Sequence, residues 1–251
     1  MKLFEPLITS LNVQRARVAG RTVFRLDRVS VRYRSTWALQ SVSLSIRAGD
    51  RVALVGPNGS GKTTLLRVLN GHVQPRVGTV QRPAATRQTL LFQRPFMLRT
   101  TAQRNVALVL WLRGARWRDA CKHANEALAR VGLAALAQRN ACTLSAGQKQ
   151  RLALARAWVM PSDVMVLDDP TVSVDLDARR EVEALLGQFV AGRLRTLVFS
   201  SHALELVERL ASRVLCLQDG RIHADLPVQE FLRGATATPP LSCEGDLRWR
   251  L

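Results

Sequence analysis

Aromatic residues are scarce in this 251-residue chain, at 5% with a single tyrosine. Surfaces that stack nucleic-acid bases set aromatic rings among basic groups. The aromatics here read as standing apart from the basic clusters, which argues against such a surface. The four cysteines, Cys121, Cys142, Cys216 and Cys243, show neither CxxC nor His-paired spacing. A zinc site or disulfide framework is thereby disfavoured, and buried or free thiols are the default. Acidic residues are few, 19 against 37 basic, for a formal charge of +18, and nearly all the basic residues are arginine. That charge suits nucleic acid or the anionic inner face of a membrane, while arginine-rich usage also follows from genome composition. Long apolar runs are missing: residues 102–112 and 164–167 are too short or too interrupted to span a bilayer. The opening Met1-Lys2-Leu3-Phe4-Glu5-Pro6 lacks the apolar stretch of a signal peptide. The expectation is a cytosolic protein.

What is present is a core-forming 47% of hydrophobic residues and one informative loop. The length fits one large α/β domain, or one domain with an inserted subdomain. Gly56-Pro57-Asn58-Gly59-Ser60-Gly61-Lys62-Thr63 lies between the apolar run Val52-Ala53-Leu54-Val55 and a helix-forming run that starts at Thr64. Strand, glycine-rich loop and helix in that order are what a phosphate-binding P-loop requires. The glycines let successive N–H groups converge on phosphate oxygens, and the helix N-terminus adds partial positive charge. Lys62 is placed to reach the β- and γ-phosphates of a nucleotide, and the Thr63 hydroxyl to ligate Mg²⁺.

Along the chain, residues 1–23 read as a weakly patterned extension. Residues 24–32 alternate like an interrupted strand, and residues 42–46 alternate cleanly before Ala48-Gly49-Asp50 turns the chain toward the P-loop. This predicts an antiparallel layer beside a parallel sheet. Residues 78–80 and 89–92 are short strand candidates. Thr101 is placed to cap a helix running to about Arg113, and residues 116–131 repeat apolar residues at helical spacing. Almost no strand signal appears over residues 94–160, which predicts a helical subdomain. Residues 164–167 and 195–199 then read as buried strands, 177–190 and 203–210 as helices, and 214–222 as a hairpin turning at Asp219-Gly220. One domain over residues 24–234 and a tail over 235–251 complete the division.

Two further stretches carry chemistry. The apolar run 164–167 ends in Asp168, and a carboxylate at the end of a buried parallel strand lies beside the P-loop, where it can hold Mg²⁺ through water. Asp169 follows, on the side where a water-orienting group is wanted. Read alone, the pair could equally cap a turn before Pro170. Leu144-Ser145-Ala146-Gly147-Gln148 opens a helix and makes a second phosphate-binding N-terminus, without a lysine. One nucleotide has little use for two such sites in one chain, whereas two chains placed head to tail close both around ATP.

In this order the motifs resemble the nucleotide-binding subunit of ATP-binding cassette (ABC) transporters, over about residues 24–225. The resemblance implies a P-loop NTPase cassette: a RecA-like parallel core, an antiparallel β layer and an inserted helical subdomain. It implies that Tyr33 stacks on adenine, that residues 56–63 with Thr64 bind ATP, and that Gln93 is the Q-loop glutamine beside Mg²⁺. Ser145, Ala146, Gly147 and Gln148 are similar to the signature, Asp168 and Asp169 to the Walker B pair, Asp175 to the D-loop aspartate, and His202 to the switch histidine. Thr63, Gln93 and Asp168 form the implied metal set, with Asp169 and His202 catalytic.

Two residues depart from the family pattern. Ala146 stands where a glycine is usual and brings a methyl close to the partner's phosphates; alanine suits a helix, so ATP binding is expected to survive. Asp169 stands where glutamate is usual, which withdraws the carboxylate by roughly an ångström, a distance to which attack geometry is sensitive. Binding and dimer closure are expected to persist while turnover slows.

As a separate subunit the chain resembles bacterial importer ATPases, which implies a homodimer beneath an integral membrane permease, on the cytoplasmic face of the inner membrane. A substrate-binding protein is an indirect partner, and no nucleic acid is expected. Residues 93–101 and 105–107 resemble importers of tetrahedral oxyanions, tungstate most closely, and the tail around residues 231–234 and 245–247 is reminiscent of the same group. Phosphate or polar amino-acid importers, an exporter ATPase, and a soluble ABC ATPase are the alternatives. The tail beyond residue 234 is shorter than the regulatory domain that some importer ATPases carry.

Overall fold

The computed structural model describes residues 20–82, 88–93, 95–160, 162–171, 176–191 and 195–237. The N-terminal extension up to residue 19, the tail from residue 238 with Cys243, and Asp175 lie outside the described residues.

The alternating residues at the start form β1 (Thr22–Tyr33), antiparallel to β2 (Thr36–Arg47). Its interruption is a bulge: the register slips between Leu26 and Val29, where Arg28 has φ 46°. The P-loop strand β3 (Arg51–Val55) follows, then α1 (Lys62–Leu69). Next, β4 (Val77–Gln81) pairs with the free edge of β1, so the antiparallel layer has three strands in the order β2-β1-β4.

The main sheet contains β3 with β5 (Gln88–Leu91), β6 (Val164–Leu167), β7 (Thr196–Ser200), β8 (Arg213–Gln218) and β9 (Arg221–Pro227), in the order β5-β6-β7-β3-β8-β9. All neighbours are parallel except β9, which returns antiparallel to β8. Its turn, Asp219-Gly220, has φ of 48° and 74°, the doubly positive geometry that matches strand twist in a two-residue hairpin. The candidate strand at 89–92 stops at Leu91, and Phe92 is exposed.

Between β5 and β6 no strand occurs among the described residues, only α2 (Ala102–Trp111), α3 (Trp117–Arg130), two short 3₁₀ turns and α4 (Ala146–Trp158). Thr101 caps α2 by accepting the Arg104 N–H at 3.1 Å. Two more helices cover the remaining crossovers, α5 (Leu176–Ala191) and α6 (Leu204–Leu210), and α7 (Val228–Ala237) follows β9.

Because strand side chains alternate between faces, the apolar strands feed two cores. Val52, Leu54, Val164, Val166 and Val198 face α1 and the antiparallel layer. Ala53, Val55, Met165, Leu167, Leu197 and Phe199 face the helical side. Burial on both faces explains why β6 and β7 read as unbroken apolar runs.

Candidate nucleotide site

β3 lies between β7 and β8, and the glycine-rich loop leaves its C-terminal end. The loop is moulded against the β8–β9 hairpin and against β2. A Cβ on Gly56 would collide with the Leu217 carbonyl oxygen, and one on Gly61 would come 2.6 Å from the Ala38 oxygen. Gly61 also has φ 104°, so an L side chain there is strained as well as crowded. Gly220 N donates to Ser60 O at 3.1 Å, which ties the β8–β9 turn to the loop.

Lys62 is buried, and its Nζ donates to the carbonyls of Gly56 at 2.7 Å and Pro57 at 2.9 Å. Burial pulls its pKa down, while Asp169 and then Asp168 favour its charged form. Among the described residues Ser60 Oγ, which is buried, has no hydrogen-bond partner. A buried ammonium bonded to two loop carbonyls beside a buried hydroxyl is a donor set suited to phosphate oxygens. Asn58 and Gly59 are exposed, Pro57, Gly61, Thr63 and Thr64 half-buried.

The β6 carboxylate arrives where it was expected. Thr63 Oγ1 donates to Asp168 Oδ1 at 3.1 Å, a hydroxyl and a carboxylate together, the hard oxygen chemistry that fits Mg²⁺. Asp169 has φ 42°, a left-handed conformation that aspartate tolerates better than most residues. Its Oδ2 lies 3.6 Å from His202 Nε2. Burial raises the Asp169 pKa above the ordinary 3.8, with His202 and Lys62 pulling the other way and Asp168 adding to the rise.

One participant has only a faint sequence signal. Ser200, wholly buried at the end of β7, donates to Asp168 Oδ1 at 2.9 Å and accepts the Asp169 N–H at 2.8 Å. It joins two consecutive carboxylate residues to the strand that leads into His202. A serine closing an apolar run two residues before a histidine was the available clue, and it needs the parallel β6–β7 pairing to have meaning.

The other expected residues are not drawn into this cluster by any hydrogen bond among the described residues. Tyr33 is 44% exposed at the tip of the β1–β2 hairpin, and Gln93 is exposed just beyond β5. Ser145 and Ala146 are exposed at the start of α4, while Gly147 is buried. Ser145 Oγ accepts the Gln148 N–H at 3.2 Å and Gln148 Oε1 accepts the Ser145 N–H at 3.0 Å, a capping box that fixes this helix start.

A glycine-rich loop between a central parallel strand and a helix, with a buried lysine and a strand-end carboxylate on the loop threonine, defines a P-loop nucleotide-binding protein. Within that class the chain belongs to the ABC transporter family, whose sequence profile matches residues 39–172. It is 33% identical to an aliphatic sulfonates import ATP-binding protein of Agrobacterium fabrum, covering 84% of this chain and 76% of the relative. A sulfate/thiosulfate import ATP-binding protein of Rhizobium meliloti is 36% identical, covering 78% of this chain. A methionine import ATP-binding protein of Rhizobium johnstonii is 32% identical, covering 85%. The chain spans 60% of the sulfate relative's length and 63% of the methionine relative's. Among solved structures, the dimeric ATP-binding cassette MJ0796, in a post-hydrolysis state bound to ADP and Pi, superposes with a TM-score of 0.76 at 26% identity, covering 82% of this chain and 99% of that one. The fold is thus that of an ABC cassette, and the chain is an ABC-type ATPase. Among the described residues no helix is long and apolar enough to cross a membrane.

Proposed function

We propose that this chain is the ATP-hydrolysing subunit of an importer for an oxyanion, tungstate or a chemical neighbour, acting as a head-to-tail homodimer at the cytoplasmic face of the membrane beneath a permease. The observation that carries the ATPase reading is the bonded set Thr63–Asp168–Ser200–Asp169, with His202 alongside and the buried Lys62 on the other side. The oxyanion reading is supported by the sulfonate and sulfate importers among the relatives. The methionine importer supports a second reading, import of an amino acid, with the same ATPase chemistry.

In this reading Lys62 exchanges its two loop carbonyls for β- and γ-phosphate oxygens, joined by Ser60 and the loop N–H groups. Tyr33 stacks on adenine. Mg²⁺, when bound, neutralises phosphate charge, and Thr63, Gln93 and Asp168 are the residues that would hold it. Asp169 accepts a hydrogen bond from the attacking water and orients it, and His202 steadies the γ-phosphate. Residues 145–148 of a second chain close the site, with Asp175 at the dimer contact. The Gln93 segment passes closure to the permease.

The test is ATP turnover by the purified chain, alone and in proteoliposomes with its permease and a solute-loaded binding protein. Turnover that Lys62→Ala abolishes, and that rises with a tungstate- or sulfate-loaded binding protein, is the expected result. Stimulation by methionine instead establishes the second reading. Turnover indifferent to Lys62→Ala overturns both.

A further inference from the structure

The turn between α2 and α3 reads Trp111-Leu112-Arg113-Gly114-Ala115-Arg116-Trp117-Arg118. Here aromatic and basic residues do interleave, which corrects the expectation that they stand apart. Within seven residues it carries three exposed large apolar side chains: Trp111 at 49% exposure, Leu112 at 70% and Trp117 at 42%. Arg113, Arg116 and Arg118 are exposed among them, with Asp119 the one acidic residue alongside.

This is a built corner rather than a loose loop. Gly114 N donates to Trp111 O at 2.9 Å and Ala115 N to Leu110 O at 3.2 Å, with Gly114 at φ 93°. That pair of bonds is a Schellman cap, and Leu110 and Ala115, the two residues its longer bond joins, both pack on the helical-side core. The cap turns Leu110 and Ala115 inward and leaves the two tryptophans and Leu112 outside. Trp111 and Trp117 meet edge to face, 6.3 Å between centroids at 87°. Neither Arg116 nor Arg118 forms an ion pair among the described residues.

We propose that this corner docks on the anionic surface of the lipid bilayer, with the tryptophans and Leu112 entering the headgroup boundary and the arginines pairing with lipid phosphates. Tryptophan with arginine is the side-chain chemistry of that boundary, where an amphipathic ring finds apolar and wet surroundings together. The arginines are complementary in charge to anionic headgroups, and the chain's +18 adds to the attraction. Single-stranded nucleic acid fits less well. A T-shaped pair cannot offer both ring faces in a row to stacked bases, and Leu112 has no task there. This contact is additional to the permease and does not depend on which solute is imported.

The experiment is co-sedimentation of the full chain with phosphatidylglycerol/phosphatidylcholine vesicles and with pure phosphatidylcholine vesicles, at about 0.15 M salt. The chain is expected to bind the anionic vesicles, with a blue shift of tryptophan emission, and to leave the neutral ones. Each surface arginine neutralised weakens such binding about fivefold, so Arg116→Gln with Arg118→Gln should lower it about 25-fold. Trp111→Ala with Trp117→Ala should abolish the blue shift. Arg25→Gln with Arg47→Gln, the same loss of charge on exposed positions of β1 and β2, should do much less; thermal melts of all variants confirm folding. Absence of anionic-vesicle binding overturns the proposal, as does equal weakening by the β1/β2 control. Attachment only when a permease is in the bilayer overturns it in favour of a protein partner. Tighter binding of a single-stranded RNA oligonucleotide, lost in the same corner variants, overturns it in favour of nucleic acid.

Discussion

Ser200→Ala removes one oxygen from a wholly buried position and leaves the backbone and the apolar packing almost unchanged. Two bonds go with it: the 2.9 Å donation to Asp168 Oδ1 and the 2.8 Å acceptance from the Asp169 N–H. The first is made to a carboxylate, and such bonds contribute about 1.5–3 kcal/mol; the second loss orphans an N–H, at about 1–3 kcal/mol where no water reaches it. Asp168 keeps the Thr63 hydroxyl, and the two losses share one site, so they do not add in full. The expected destabilisation is about 2–3 kcal/mol. For a chain of this size that lowers the melting temperature by about 4–12 °C. Turnover should fall as well, because the bond to its N–H holds Asp169 in its left-handed conformation. A drop of about tenfold corresponds to 1.4 kcal/mol of lost positioning, with ATP affinity kept within about twofold because Lys62 and the loop are untouched. Urea and thermal unfolding measure the first effect, and kcat with ATP binding the second. The decisive control is the same change in an Asp169→Ala background, where Ser200→Ala should cost no further turnover. A destabilisation below about 0.5 kcal/mol, or an equal loss of turnover in both backgrounds, refutes the reasoning.

Asp169→Glu restores the missing methylene and should raise turnover about ten- to hundredfold; steady-state ATPase rates check it, and no gain would show that the shorter side chain is not what limits the reaction. Asp169 also makes a pH prediction. Its pKa is raised in the fold, so just above 3.8 the folded state binds more protons than the unfolded one, and stability falls as pH rises through the folded value. Asp169→Asn removes that slope. Urea unfolding should show the variant gaining on the wild type as pH climbs from 4 toward neutrality, and parallel profiles would count against it. Finally, Gly61→Ala meets both a clash with the Ala38 carbonyl and a φ of 104°, whereas Gly59→Ala meets only a φ of 82° with nothing within 4 Å. Gly59→Ala should cost about 1–2 kcal/mol and Gly61→Ala clearly more; the reverse order in unfolding experiments would contradict the packing described.

The features legible in the sequence are those fixed by local pattern. Buried parallel strands must be apolar throughout, so β6 and β7 stood out, and with β6 came Asp168 at its end. Thr101 announced α2 because a helix start needs an acceptor for its first N–H groups. The third strand of the antiparallel layer, β4, was visible as a strand, but its pairing with β1 was not, since register between distant segments leaves no local trace. The role of Ser200 is hidden in the sequence for the same reason: its two partners lie 32 and 31 positions back in the chain, and only the alignment of β6 with β7 brings them to it. The Trp111–Trp117 corner is written in the sequence as interleaved tryptophan and arginine, but a helix turn with arginines looks like ordinary solvated surface until the Schellman cap shows which residues point out. Residues 144–148 were legible as a helix N-terminus suited to phosphate, whereas Gln93, exposed just beyond β5, was legible only through resemblance.

The mould of the phosphate loop has a consequence for how the protein is made. The loop and its strand leave the ribosome early, at residues 51–61, yet both flanking strands, β7 and β8, and the Asp219-Gly220 turn that braces Ser60 come only at residues 196–220. The nascent chain therefore carries its glycine-rich loop unsupported until most of the domain has been synthesised, and long-range pairing of this kind forms slowly. Nucleotide binding is thus among the last properties the growing chain acquires, and a nascent chain cut short before β8 is a cassette with its motif written but not yet shaped.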